Sequence, residues 1–401
     1  MQSNLILKAV EQKDMEQYNA LLRYVFQVTS QQLSSIGWKE HEIMRAKFPT
    51  FQKSNVWGWF DGQNLISQVV VYPLKVRIFN TTYALGGLTG VGTYPEYSNG
   101  GLMHTLLLKA LESMRENGQY ISYLFPYSIA YYRRKGWELV SNKMRYVIKD
   151  YQLPKNKKVA GFVRRVQTES TELKTAYERF ALKTHGAILR DDLAWNEYWL
   201  WEDADMLAAV YENPQNECDG FLIYSIAHNI LRIKEMGFLN EEARHALWNF
   251  VSAHFSMIEC VKGTTFTDES LAFLLEDASI KEEIAPYYMA RIVDFPEFIA
   301  RYPFKADLEN RQWIFNLDDP MMQCNQGTFC LKIEQNGKAS AQKINAQTED
   351  SIDIQTLTTM LMGYKRPAYL AQIGRLKTNE SIIDMLEDAI EQQTPYISDY
   401  F

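Results

Sequence analysis

The sequence holds no paired cysteines and no grouped histidines. Cys218, Cys260, Cys324 and Cys330 lack the short spacings of zinc or thioredoxin-like sites, which fits reduced cysteines of a cytoplasmic protein. His41, His104, His185, His228, His245 and His254 form neither an i, i+4 pair nor an HExxH motif, so no metal is expected. Long apolar runs are also missing. The longest, such as Val69-Val70-Val71-Tyr72, fall far short of the ~20 residues a bilayer requires. Met1 to Val10 offers a stretch too short for a signal-peptide core, so no targeting segment is expected. Positive charge is in deficit, with 42 Lys+Arg against 49 Asp+Glu and a net charge of −7. That balance argues against a general nucleic-acid binder, which needs a basic face to neutralise phosphates.

What is present reads as a folded, multidomain protein. Hydrophobic residues make up 46% and charged residues 23%, ordinary values for a globular chain. At roughly 100–200 residues per domain, 401 residues predict two to four domains. Leu5-Ile6-Leu7 reads as a first strand. Asp14 and Gln17 read as a capping box before a helix carrying Met15, Tyr18, Leu21, Leu22, Val25 and Phe26. Trp57 and Trp59 alternate towards an Asp61-Gly62 turn, Leu65–Pro73 and Val76–Phe79 read as strands, and Tyr83–Thr93 as a strand with several glycines. Leu102 to Met114 has helical spacing, and Ile121, Tyr123 and Phe125 begin another strand. A polar stretch from Asp150 to Lys158 reads as a linker. Beyond it, strands are predicted at Val163–Val166, Gly220–Ile226, Ile230–Phe238 and Met257–Val261, with helices from Thr171, Asn240 and Asp268. After Arg291 come a helix near Pro296–Arg301, strands at Trp313–Leu317, Thr328–Glu334 and Lys338–Ile344, and helices over Ser351–Leu361 and Asn379–Gln392. The fold class is α/β with mixed sheets.

The segment richest in chemistry is Gly90-Val91-Gly92-Thr93-Tyr94-Pro95-Glu96-Tyr97-Ser98-Asn99-Gly100-Gly101-Leu102-Met103. A strand runs through a glycine-containing turn into an amphipathic helix. Unpaired N–H groups and the helix dipole at such a turn form an anion site. Gly100 and Gly101 let the backbone approach a diphosphate closely. The P-loop ending and the three-glycine Rossmann spacing are both absent.

The P-E-Y-x-x-x-G turn at Pro95–Gly101 resembles the acyl-CoA pyrophosphate loop of GNAT-type N-acetyltransferases. Pro126-Tyr127-Ser128-Ile129-Ala130-Tyr131-Tyr132-Arg133-Arg134-Lys135-Gly136-Trp137-Glu138 resembles the tyrosine-bearing segment of the Eis (enhanced intracellular survival) branch. Pro286 to Asp294 resembles the approach to that branch's third domain, and the sequence ends in an aromatic residue, Phe401, as members of the branch do. The resemblance implies two tandem GNAT-like domains followed by a sterol-carrier-protein-like α+β domain. The expected bounds are 1–150, 151–290 and 291–401, the second domain lacking a cofactor loop. It also implies a homo-oligomer, hexamers being the best-known assembly, that uses acetyl-CoA and a small amine or lysine-bearing substrate.

Carried onto this sequence, the resemblance makes Tyr132 the general acid that protonates the departing CoA sulfur. A phenol with a pKa of about 10 suits a thiol at about 8.5. The Phe401 carboxylate would be the base. Val91 and Thr93 would pair with pantetheine, while Ser98, Asn99, Gly100, Gly101, Leu102 and Met103 would hold the pyrophosphate. Ser98 stands where the family usually has Arg or Gln, which removes a charge-assisted contact that Arg133, Arg134 and Lys135 could replace. Trp38 and Phe26, with Trp57 and Trp59 behind them, are candidates for an aromatic acceptor cleft around a cationic amine. The competing reading is a non-catalytic acyl-CoA- or lipid-binding protein.

Overall fold

Strand β1 (Leu5–Ala9) is followed by helices α1 (Met15–Val25), α2 (Ser30–Ser35) and α3 (Glu40–Lys53) and the meander β2 (Asn55–Asp61), β3 (Asn64–Ile78) and β4 (Thr81–Thr93). Helix α4 (Leu102–Glu116) leads to β5 (Ile121–Leu124), the short α5 (Ile129–Arg133) and β6 (Glu138–Leu139). Next come β7 (Asn142–Lys149), β8 (Phe162–Val166), α6 (Thr171–Lys183) and α7 (Asp192–Leu200). Strands β9 (Leu207–Glu212), β10 (Cys218–Ala227) and β11 (Ile230–Phe238) follow, then α8 (Glu241–Ser252), β12 (Cys260–Thr265) and β13 (Lys281–Pro286). The last part holds β14 (Met289–Ile292), α9 (Phe295–Ile299), β15 (Arg311–Asp318), β16 (Gly327–Ile333), β17 (Ala339–Lys343) and β18 (Ser351–Asp353). Helices α10 (Ile354–Leu361), α11 (Pro367–Gln372) and α12 (Glu380–Ala389) complete it. This computed structural model describes residues 5–35, 37–98, 100–202, 205–266, 270–306, 309 and 311–401.

Three mixed sheets result, ordered β1-β2-β3-β4-β5-β14-β6, β13-β7-β12-β11-β10-β9-β8 and β17-β16-β15-β18. The first two exchange strands. Strand β7, before residue 150, pairs with β12 and β13 in the second sheet, whereas β14 pairs with β5 and β6 in the first. The crossing segments stay hydrogen-bonded, Val140 N–H to Tyr288 O at 3.0 Å and Tyr287 N–H to Ser141 O at 3.0 Å. The boundaries expected at 150 and 290 therefore do not separate one sheet from the next.

Alternation along β3 divides the first core between two faces. Val69 and Val71 meet Leu106, Leu107, Ala110 and Met114 of α4. Val70 and Tyr72 meet Tyr18, Leu21 and Leu22 of α1, in a cluster that continues into the third sheet through Trp313 and Phe315. Burying each such side chain contributes roughly 1.5–3 kcal/mol.

Several expectations need correction. Asp14 and Gln17 do not form the capping box. The Asp14 carboxylate accepts the Glu11 N–H at 3.1 Å, one turn earlier, while Gln17 Oε1 accepts the Leu65 N–H at 2.8 Å and ties α1 to β3. Leu65–Pro73 and Val76–Phe79 merge into one strand. Pro73 is tolerated there because β2 pairs only as far as Val71, leaving no partner for the missing donor. The helix expected from Asp268 starts outside the described residues, and the chain beyond it makes only a 3-10 turn at Ala272–Leu274 before β13.

Candidate active site

Strands β4 and β5 run parallel for three pairs only: Leu85 with Ile121, Gly86 with Ser122 and Gly87 with Tyr123. Strand β4 continues to Thr93 while β5 stops at Leu124, so a fork opens and the β4 edge beyond Gly87 has no neighbouring strand. A bulge sits on that edge. Gln68 opposes Gly92 and Val70 opposes Thr89, so Gly90 and Val91 together face Val69. Gly90 has φ +59°, the left-handed geometry that glycine adopts without strain. Such a bulge takes one residue out of the ladder and turns its backbone donor away from the sheet. A free strand edge can pair with an extended amide chain, and a freed N–H can polarise a carbonyl.

The strand then runs into the turn that opens α4. After the 3-10 turn Pro95–Tyr97, the Ser98 hydroxyl donates to Pro95 O at 2.6 Å, so Ser98 supports the turn with its side chain. Asn99 lies outside the described residues. Gly101 caps α4 at φ +74° with no side-chain hydrogen bond, leaving the first-turn N–H groups of α4, including those of Leu102 and Met103, without a side-chain cap among the described residues. The equivalent turn of the second sheet, from β11 into α8, is closed. The Asn240 side chain accepts the Ala243 N–H at 2.8 Å, and Glu241 and Glu242 occupy the first turn, where they would repel a phosphate. Of the three basic candidates, Arg133 is committed to the buried Glu138 at 2.8 Å. Lys135 Nζ stands 2.9 Å from His104 Nδ1 on the first turn of α4. Burial and then the Lys135 charge push the His104 pKa down.

Tyr132 lies on the α4 face. Its helix α5 begins at Ser128, whose hydroxyl accepts the Tyr131 N–H at 3.4 Å. Its ring meets Tyr131 and Trp137 edge-on at centroid distances of 5.2 and 6.1 Å, in the cluster that also takes in Val91 and Met103. Burial pushes its pKa well above 10, so the phenol keeps its proton. Gly136 follows because nothing larger fits. It has φ +91°, and a Cβ there would fall 1.4 Å from Arg291 Nη1. Arg291 is fully buried, donates to Lys135 O at 2.6 Å and pairs with both Asp319 oxygens at 2.6 Å.

Phe401 lies on the opposite face. Its ring rests on Gly87, the last paired residue of β4 before the fork, with centroids 5.9 Å from Tyr72 and 5.6 Å from Tyr288. Its N–H donates to the Tyr288 hydroxyl at 3.3 Å, and Tyr287 OH donates to Asp399 O at 3.0 Å. The tail is anchored by Arg190, fully buried between Asp399 at 2.7 Å and Glu235 at 3.0 Å and stacked on Tyr177 and Tyr198. Phe26 is half exposed at the end of α1, next to Val25, which packs on Gly92. Trp38 belongs to a small cluster with Leu33, Ile43 and Leu200, its indole N–H donating to Leu200 O at 3.1 Å, so it docks the first helices on α7. Trp57 and Trp59 belong to the α4 face, Trp59 donating to Leu102 O at 3.1 Å. They lie on the α4 side of the first sheet, away from the Phe401 face, because β2 points both side chains towards α4.

Sequence reasoning missed Gly87 and Arg190. A glycine pair inside a strand hints at close approach, and Gly86 and Gly87 do receive Met114 and Phe401 respectively.

A forked β4–β5 pair, a bulge beside it and an uncapped helix behind it are the framework of an acetyltransferase (GNAT) domain. Models of that domain match residues 7–140 and 186–292, and a sterol carrier protein domain matches residues 295–398. The chain is a tandem GNAT protein with a C-terminal sterol carrier protein domain. Within that class it is a homologue of the Eis proteins. It is 24% identical over 234 residues to the N-acetyltransferase Eis of Mycobacterium tuberculosis and of Mycobacterium bovis, covering 56% of this chain and 55% of theirs. The match therefore spans about half the length of these relatives. A probable N-acyltransferase from Enterococcus faecalis V583, described as of unknown function, superposes with a TM-score of 0.89 at 24% identity, covering 99% of this chain and 100% of that one. The GCN5-related N-acetyltransferase from Anabaena variabilis gives 0.86 at 19% and Eis1 from Mycobacterium abscessus 0.79 at 15%, both covering 99% of this chain and 100% of theirs. These likenesses establish the fold.

Proposed function

We propose that the protein is an acetyl-CoA-dependent N-acetyltransferase that acetylates a primary amine in a ternary complex. One observation carries this reading: the β4–β5 fork has an uncapped anion turn and a buried tyrosine on one face and the Phe401 terminus on the other. The first-turn N–H groups of α4, with Lys135 nearby, bind the pyrophosphate. The β4 edge at Val91 and Thr93 aligns the pantetheine arm, and the bulge N–H polarises the thioester carbonyl. The amine approaches from the Phe401 side. The Phe401 carboxylate, ionised because an α-carboxyl titrates near 3.5, accepts the amine proton, directly or through water. Tyr132 gives its proton to the departing thiolate from the other face. Only the first sheet binds acetyl-CoA, because the β11–α8 turn is capped and acidic.

The test is thiol release from acetyl-CoA across a panel of amines, with the chain extended in turn at each terminus. The reading expects amine-dependent release that falls about 10²-fold on C-terminal extension and persists on N-terminal extension. Acetyl-CoA binding without release for any amine would overturn it in favour of a non-catalytic acyl-CoA- or lipid-binding protein.

A further inference from the structure

Many arginines of this acidic chain hold a carboxylate. Arg133 and Arg375 share Glu138, Arg179 holds Asp219, Arg291 holds Asp319 and Arg366 holds Glu387. One cavity departs from that rule. It has a volume of about 740 Å³, within the range of small-molecule sites. Arg77, Lys183, Arg301, Lys305 and Lys338 line it, against one carboxylate among the described residues, that of Glu391. None of these five cations forms an ion pair among the described residues. Arg301 lies over the Tyr120 ring at 5.1 Å. Arg77 Nη1 donates to Thr82 Oγ1 at 3.3 Å, while its Nε is buried with no hydrogen-bond partner among the described residues. A buried donor left unpaired costs stability that a ligand could return.

Distant segments bring these charges together. Arg77 lies near the end of β3, and its backbone is tied to the second unit: its N–H donates to Ala187 O at 2.9 Å and its carbonyl accepts the Gly186 N–H at 2.6 Å. Lys183 ends α6 of that unit. Arg301 and Lys305 follow α9 in the third domain, where the Lys305 N–H donates to Ala389 O at 3.0 Å, two residues before Glu391. Lys338 belongs to the turn between β16 and β17. Gly337 has φ +81° there, and a Cβ on it would fall 2.4 Å from Phe304 O, so the turn presses directly on the segment between Arg301 and Lys305. All three domains supply a wall, and the walls are fixed before any ligand arrives.

The cavity is separate from the proposed acetyl-CoA site. It sits at the start of β4, near Thr81, while the turn into α4 follows Thr93 at the other end, roughly 40 Å away at ~3.3 Å per residue. Five cations gathered in a chain of net charge −7 repel one another, and Glu391 offsets only one. A nucleic acid would need a basic stripe, whereas these charges converge on one cavity. Phosphate groups concentrate negative charge in a small volume and accept hydrogen bonds from both guanidinium and ammonium groups.

We propose that this junction binds a small molecule bearing a di- or triphosphate, which bridges the three domains by pairing with their cations. The proposal is independent of acetyl transfer.

The full chain is titrated calorimetrically with sodium tripolyphosphate, alone and with saturating acetyl-CoA. One site per chain that acetyl-CoA does not displace is expected. Lys305→Gln combined with Lys338→Gln should weaken binding by about a hundredfold, the loss of two hydrogen bonds between charged groups. Lys262→Gln combined with Lys281→Gln, an equal change of charge on the second sheet, should leave it unaltered. Glu391→Gln should tighten it about two- to fivefold, the size of an exposed charge interaction. Tripolyphosphate should raise the melting temperature of the wild type and not that of the Lys305/Lys338 variant, which without ligand should melt no lower than the wild type because it loses only mutual repulsion. Absence of binding, displacement by acetyl-CoA, equal weakening in the two double variants, or a Lys305/Lys338 variant that melts lower without ligand would overturn the proposal. Citrate binding as tightly as tripolyphosphate would overturn the assignment to phosphates.

Discussion

Gly87→Ala is the smallest change that acts on the Phe401 side of the fork. The glycine has no positive φ, so alanine adds a methyl without backbone strain. That methyl would sit 2.8 Å from Leu74 Cδ1 and 2.9 and 3.1 Å from Phe401 Cε2 and Cζ. Ordinary carbon contacts lie near 3.5–4.0 Å, so the phenyl ring must withdraw by roughly half an ångström to one ångström. It cannot pivot freely. Its own N–H is bonded to Tyr288, and Asp399, two residues back, is locked to Arg190. The displacement therefore passes into the terminal carboxylate, and misplacement by ~1 Å can cost about 10²-fold in rate. Steady-state kinetics should show kcat falling by ten- to a hundredfold on that scale, with the acetyl-CoA dissociation constant unchanged. Gly86→Ala provides the contrast. Its methyl would meet Met114 Sδ at 2.6 Å on the opposite face, so it should disturb α4 and acetyl-CoA binding first. Wild-type turnover in Gly87→Ala would refute the placement of the amine on the Phe401 face.

Three further outcomes follow from the same geometry. Tyr132→Phe should lower turnover by about 10²-fold with acetyl-CoA affinity retained, read by single-turnover kinetics and calorimetry. Arg190→Gln should leave Glu235 and Asp399 unpaired in the interior, costing about 3–5 kcal/mol in urea unfolding and lowering turnover by more than an Arg366→Gln control, which cuts a guanidinium from Glu387 in the third domain. His185 accepts the Phe79 N–H at 2.9 Å and has Met362 O at 2.9 Å from its other ring nitrogen, and burial lowers its pKa to about 4. The unfolded chain, with His near 6.5, takes up the proton first, so stability should be lost as pH falls from about 6.5 to about 4, by roughly 3 kcal/mol. His185→Gln should flatten that part of the profile of unfolding free energy against pH.

The elements that could be read from sequence were those whose pattern is set locally. Helix α4 has a clean apolar face because one side meets a sheet and the other meets water, and Asn240 and Asn379 mark α8 and α12 as N-caps. The turn at Pro95–Gly101 and Tyr132 were legible because glycine, proline and tyrosine there follow a recognisable spacing. Helix α7 was not legible. It is apolar on both sides, wedged between the first core and the second, so no amphipathic period marks it. The strand exchange was equally hidden, because β7 and β14 read as strands wherever they pair. Arg190 and Arg291 look like surface residues in sequence, and only their partners 209 and 28 residues away take them inside.

The exchange implies that the first sheet is not autonomous. A fragment of residues 1–150 would lack β14, whose four residues are all buried between β5 and β6. Strand β5 would keep only its three pairs with β4, and β6, two residues long, would lose its partner. Arg291 would also be gone from the space beside Gly136, leaving Lys135 O without its donor and a void under the Tyr132 segment. Strand β7 would dangle, since both of its partners belong to the later chain. An unpaired inner strand with buried-type side chains is an aggregation template. The fragment should therefore be insoluble or unfold without cooperativity, and should not bind acetyl-CoA. Residues 1–294 restore β14 and both crossing segments, so that fragment should recover acetyl-CoA binding, measured by calorimetry, while lacking turnover because Phe401 and Asp399 are absent. Cooperative unfolding of residues 1–150 with full acetyl-CoA affinity would contradict this, and would mean that the β4–β5 fork holds its shape without the strand inserted beside it.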